Sequence, residues 1–192
     1  MTMGINSHIQ QLIFSLVLLI LFTSTCFARE PIRVLECMVD RTLDGDTVSV
    51  VVRNGGGTRI KVRLYGIDAP ETDKIGKKSG KVFKPGQPYG EEAMNALESK
   101  VRNAILTVKV YDIDKYKRMV GVLSFGNRNI NLEMIQGGWA WAYRQYLDTP
   151  YASEYIAAEE QARSQKKGLW AQSNPQPPWE FRKLQKKSKK ES

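Results

Sequence analysis

The stretch "DTVSVVVRNGGGTRIKVRLYGI", residues 46–67, decides the fold. Its first third, "DTVSVVV" (46–52), is β-branched and reads as a strand. "NGGG" (54–57) is a hairpin signal. "TRIKVRLYGI" (58–67) alternates, with Ile60, Val62 and Leu64 on one face and charged residues between them. Upstream, "PIRVLECMVDR" (31–41) is another alternating strand, joined to the first through the Asp-Gly turn at 44–45. Three strands in succession with short connections form a meander.

Working outward, residues 72–88 read as a polar, basic loop carrying Lys74, Lys77, Lys78, Lys81 and Lys84. "YGEEAMNALESKVRNAI" (89–105) predicts a helix with Met94, Leu97 and Val101 on one stripe. "ILTVKVYDI" (105–113) and "RMVGVLSF" (118–125) are two further strands, and "GN" (126–127) is a turn. "INLEMIQGG" (130–138) predicts a short helix closed by glycine. Residues 149–168 predict a longer one, with Thr149 as N-cap, Pro150 in the first turn and Gly168 just past the end. Leu169 and Trp170 are expected to fold back onto the core. From 171 to 192 the chain turns Pro-rich and then Lys-rich, predicting a loosely ordered basic tail with helix limited to about 179–184. The pattern gives a mainly β fold with α-helices (α+β): a five-stranded barrel of the OB type with about three helices packed on it.

The chain has 192 residues, 42% of them hydrophobic and 26% charged, enough for one domain with a real core. Its formal net charge is +9. Such a charge points to a polyanionic partner, nucleic acid or a membrane surface, with a solvated basic surface as the alternative. Residues 12–22, "LIFSLVLLILF", are apolar apart from Ser15, and "TSTCFA" follows. Residues 1–28 are thus expected to be a secretory signal peptide cleaved after Ala28, sending the chain to the periplasm or the outside medium. The leader has no Lys or Arg before its apolar run, so an uncleaved N-terminal membrane anchor is the alternative. Cleavage would leave Cys37 as the sole cysteine and no intramolecular disulfide. Two cysteines and one histidine exclude a conventional zinc site, so a metal here must be held by oxygen, which points to calcium or magnesium.

The acids then stand out. "LDGDTV" puts Asp44 and Asp46 at the start of one hairpin strand, and "GIDAPE" puts Asp68 and Glu71 at the end of the other. Antiparallel pairing brings those two ends together, so Asp46 and Asp68 meet at one rim of the barrel. Two carboxylates, a backbone carbonyl and water can hold a hard cation; taken alone, "LDGDT" reads first as a turn. The spacing does not match a calcium-binding helix-loop-helix. Arg63 lies on the same strand as Asp68, and Arg118 opens a later one. Guanidinium groups suit a phosphodiester gaining negative charge in reaction, whereas each arginine singly also reads as a surface ion pair.

In order along the chain, "LDGDT", "RLYGIDAPE", "YGEEA", "DKYKR" and "GLW" resemble the staphylococcal nuclease family, also called thermonucleases or micrococcal nucleases, over residues 31–170. The resemblance implies an OB-type barrel with three helices and a calcium-dependent nuclease that cuts DNA and RNA, leaving 3′-phosphate ends. It implies one calcium ion on Asp46, Asp68 and the Ala69 carbonyl, with Asp44 behind them. Glu71 would orient or deprotonate the attacking water, Arg63 and Arg118 would hold the phosphate, and Tyr116 and Tyr143 would touch phosphate or nucleotide. Single- and double-stranded DNA and RNA are the implied substrates; no protein partner is implied and a monomer is expected. Ala69 stands where the family's best-known member has threonine, which changes only a side chain. The 72–88 loop is longer here, and Trp139 and Trp141 make the approach to Tyr143 more aromatic. The competing expectations are a catalytically silent OB-fold nucleic-acid-binding module and an envelope-associated basic protein.

Overall fold

Alternation in the meander becomes two faces of a closed sheet. A computed structural model describes residues 29–76, 78–148 and 150–191, with the side chains of 189–191 left undescribed. The leader (1–28), Lys77 and the expected cap Thr149 therefore lie outside the described residues. Strands β1 (Arg33–Asp44), β2 (Thr47–Val52) and β3 (Arg59–Leu64) form the meander. β7 (Ile105–Ile113) pairs antiparallel with β1 on one side and with β8 (Met119–Phe125) on the other. The sheet closes where β8 runs parallel to β3, Arg63 opposite Val120 and Leu64 opposite Gly121. The result is the expected five-stranded barrel. Register shifts in β1, between Val39 and Arg41 and between Thr42 and Asp44, and in β7, between Val110 and Asp112, supply the local bends that closure needs.

The interior is the apolar face of every strand: Val48 and Val50, Val62 and Leu64, Leu106, Val108 and Val110, and Val122 are all buried. Helix α1 (Gly90–Val101) caps this core through Ala93, Leu97 and Val101, with Met94 only half-buried, so the buried stripe is shifted from the expected one. Helix α2 (Ile130–Gln136) adds Ile130, Met134 and Ile135, and ends at Gly137 and Gly138, the latter with φ +71. A short β9 (Arg128–Asn129) precedes it. Asn131, on α2, is fully buried at the seam. It accepts from the Leu123 N–H (3.0 Å) and donates to the carbonyls of Tyr65 (2.9 Å) and Gly121 (3.2 Å).

Helix α3 (Ala152–Ser164) is shorter than expected. It ends before Gly168, and Lys166, with φ +51, takes the left-handed position beyond its end. Leu169 and Trp170 do fold back, packing with Trp141 and Ala162 in a second, smaller apolar cluster. Two expectations are corrected. The 72–88 segment is not all loop: β5 (Lys74–Ile75) and β6 (Val82–Lys84) pair as a small antiparallel hairpin. The tail is not loose: α4 (Pro178–Glu191) is a continuous helix, making four α-helices among the described residues rather than about three. Pro178 opens it where no N–H is needed, and Trp179 anchors it on the second cluster.

Candidate active site

The hairpin brings the acids to one rim. Thr47 pairs with Arg63, and the Leu64 N–H donates to the Asp46 carbonyl at 2.8 Å, which sets Asp46 beside the end of β3. The chain then turns through Gly66 (φ +73) into β4 (Ile67–Asp68), which pairs with β10 (Trp141–Ala142), Trp141 opposite Asp68. Buried Glu159 of α3 fixes β10 by accepting from the Ala142 N–H at 3.1 Å.

Arg63 bridges the two aspartates. Its guanidinium donates to Asp46 Oδ1 at 3.2 Å and to Asp68 Oδ1 at 2.6 Å. Asp46 also accepts from the Thr47 hydroxyl (2.7 Å) and from the Ala69 N–H (3.1 Å). The two carboxylates are pushed apart electrostatically. Burial raises Asp46, but the Arg63 charge and those hydrogen bonds outweigh it and leave its carboxyl below the usual range. Asp68, with none of its side chain exposed, is raised by burial and by the Asp46 charge, against the pull of its guanidinium partners. Asp44 stands behind, accepting from the Thr72 N–H (3.1 Å) and from Lys74 (2.6 Å), its carboxyl raised by burial and then by Asp46.

Glu71 is positioned by its backbone. Its carbonyl accepts from the Gln87 N–H at 2.7 Å, and its own N–H donates to the Gln87 side chain at 3.2 Å. The N-terminus of α1 abuts it: a Cβ on Gly90 would collide with the Glu71 carbonyl, so glycine permits the approach. Gly45 does the same on the other side, since a Cβ there would lie 2.7 Å from that of Ala93 and 2.8 Å from that of Ala69.

The structure thus joins Asp46, Asp68, Arg63 and Glu71 in one cluster. Ala69 enters it through its amide. Arg118 is engaged elsewhere: its Nε and Nη2 both reach Asp114 Oδ2 at 2.7 Å, and Tyr116, largely exposed, lies beneath its guanidinium. It sits two residues before Val120, the residue paired with Arg63. Tyr143 lies beside the cluster, and its ring is already stacked on Trp179, 5.1 Å between centroids and 3° from parallel. Its hydroxyl is pushed above the usual range by burial and by the Asp68 charge.

Three further side chains reach the acids without a clear mark in the sequence. Arg182 of α4 donates to both oxygens of Asp68 (3.0 and 2.7 Å) and to Glu71 Oε1 (2.9 Å). Lys84 of β6 approaches Glu71 Oε2 at 3.6 Å, and Lys74 of β5 holds Asp44. The one available signal was "PPWEFR", a proline start followed by Trp179 and Arg182 at the spacing that shares a helix face.

The family model described as staphylococcal nuclease homologue matches residues 61–172. The chain belongs to the staphylococcal nuclease family. Among its relatives is a Haemophilus influenzae protein named an uncharacterized endonuclease, 34% identical over 175 residues, 91% of this chain and 86% of that one. A Shigella flexneri micrococcal nuclease is 36% identical over 157 residues, 77% of this chain and 80% of its own length. A rice protein named probable staphylococcal-like nuclease CAN1 is 40% identical over 124 residues, 65% of this chain, and the match spans only 33% of its own length. The matched segment holds Arg63, Asp68, Glu71, Tyr116, Arg118 and Tyr143; α4 lies beyond it.

The donors fit a hard cation in kind: Asp46 and Asp68 offer carboxylate oxygens in a buried, hydrogen-bonded setting. Among the described residues no three His, Cys, Asp or Glu side chains already converge as a metal cage. Guanidinium groups take up both oxygens of Asp68 instead.

Proposed function

We propose that this nuclease-family hydrolase is calcium-dependent and exported, and cleaves DNA and RNA phosphodiesters with little sequence preference, leaving 3′-phosphates. One observation carries the reading: Arg63 bridges Asp46 and Asp68 at the barrel rim with Glu71 alongside. Calcium on Asp46, Asp68 and the Ala69 carbonyl would supply Lewis acidity toward the phosphodiester and lower the cost of forming hydroxide. The rest falls to the protein. Glu71, held by Gln87 and α1, receives or orients the proton of the attacking water. Arg63 gives planar donors to the phosphoryl oxygens as their charge rises, and Arg118 offers a second guanidinium from the turn before β8. Water oxygen bonds to phosphorus, the bond to the 5′ oxygen breaks, and that oxygen leaves with a proton. Asp114 holds Arg118 in one orientation.

Incubation of the chain with single-stranded DNA, first with calcium and then with a chelator, tests this directly. Cleavage that stops on chelation is expected; intact DNA in calcium would rule the reading out. Glu71→Gln should lose turnover by on the order of a hundredfold or more, the scale of a general base, while retaining calcium binding by calorimetry. Full activity in that variant would remove Glu71 from the chemistry.

A further inference from the structure

Helix α4 lies across the site, and two of its side chains take up both parts of it. The Arg182 guanidinium sits between Asp68 and Glu71 with three hydrogen bonds, two to Asp68 and one to Glu71. Any cation drawing on Asp68 must displace those bonds. One helical turn away, the Trp179 ring covers Tyr143 in the parallel stack that a nucleobase would adopt there. The helix is held at its flanks: Gln185 donates to the Pro85 carbonyl at 2.8 Å, and Gln87 donates to the Gln176 carbonyl at 3.0 Å. Lys183, Lys186 and Lys187 are exposed. The family-model match ends at residue 172, and α4 lies beyond it.

We propose that α4 is an autoinhibitory latch, with Arg182 standing in for the divalent cation and Trp179 for the base. The proposal rests on the nuclease reading for the identity of what displaces it. In this position every hydrogen bond of Arg182 goes to an acid, and Arg63 is likewise held by Asp46 and Asp68 until a cation takes over those carboxylates. A phosphate brought to the same guanidinium would meet Asp68 and Glu71 head-on. A tethered guanidinium competes at a high effective concentration, so calcium alone binds weakly. A nucleic-acid strand adds a second force: its phosphates attract the exposed lysines of α4 and its bases compete for Tyr143. Cation and strand together therefore release the latch, and each raises the apparent affinity of the other.

The test uses the full chain and R182Q. Calorimetry with calcium alone should show R182Q binding about tenfold or more tightly than the wild type, the gain from removing a competing state. Hydrogen exchange on the wild type should show amides 178–191 losing protection when calcium and a phosphorothioate oligonucleotide are added together. Equal or weaker calcium binding by R182Q overturns the latch, as does unchanged protection of α4. Should R182Q fail to fold, the exchange experiment on the wild type decides alone. Tighter calcium binding by R182Q with no cleavage by either chain would sink the nuclease reading and leave the latch. Cleavage by both chains with equal calcium affinity would do the reverse.

Discussion

Arg63 has two carboxylate partners where a surface pair would have one, a feature it shares with Arg182. Asp46, Asp68 and Arg63 could be placed from sequence because the hairpin sets two strand ends side by side, whereas Glu71 is held by Gln87 and α1. Arg182 could not, since it lies 114 residues from Asp68 and no local pattern specifies so distant a pairing. The orientation of Arg118 was also hidden, because it depends on a turn closed by Asp114. That carboxylate accepts from the N–H groups of Tyr116 (2.9 Å) and Arg118 (3.0 Å) as well as from the guanidinium. Slight burial raises its carboxyl, but these bonds outweigh it and hold it below its ordinary value of 3.8. A depressed native carboxyl stabilises the fold above its unfolded value and loses that contribution as pH falls through the native one. Asp114→Asn should therefore cost about 1 kcal/mol at neutral pH, discounted for partial exposure. The gap between variant and wild type should narrow below pH 3.8, followed by urea unfolding at stepped pH. A gap unchanged at low pH would mean the carboxylate charge is not what stabilises the turn.

At the scale of elements, the long strands and α1 were legible because their apolar periods are long enough to repeat. The β5–β6 hairpin was not, since strands of two and three residues carry no period. α4 was misread because its lysines dominate its composition, while its function rests on Trp179 and Arg182. Asn131 was equally silent in the sequence, though it joins α2 to β8 and to Tyr65 just past the end of β3. Asn131→Leu would bury the Leu123 N–H and weaken the support of the Tyr65 and Gly121 carbonyls, at about 1–3 kcal/mol for an unsatisfied group. Denaturant unfolding should show that loss, and hydrogen exchange should place it at β8. A loss spread evenly over the barrel, or none, would argue against a seam staple.

For the whole molecule, a net charge of +9 acts through the substrate backbone more than through any one contact. If about six phosphates are neutralised, affinity for duplex DNA should fall on the order of a thousandfold between about 50 and 200 mM salt. Fluorescence anisotropy with calcium withheld would read that slope, and a flat response would point away from backbone binding. Chain order carries a different consequence. Residues 62–64 cannot close the barrel until residues 119–121 exist to meet them. A chain emerging from its N-terminus therefore carries an open sheet edge through half its synthesis, a period of exposure to aggregation. Arg182 emerges later still. The barrel can close and bring Asp46, Asp68 and Arg63 together before residues 178–191 have joined it. The newborn enzyme would thus pass through a brief uncovered stage wherever it folds in chain order.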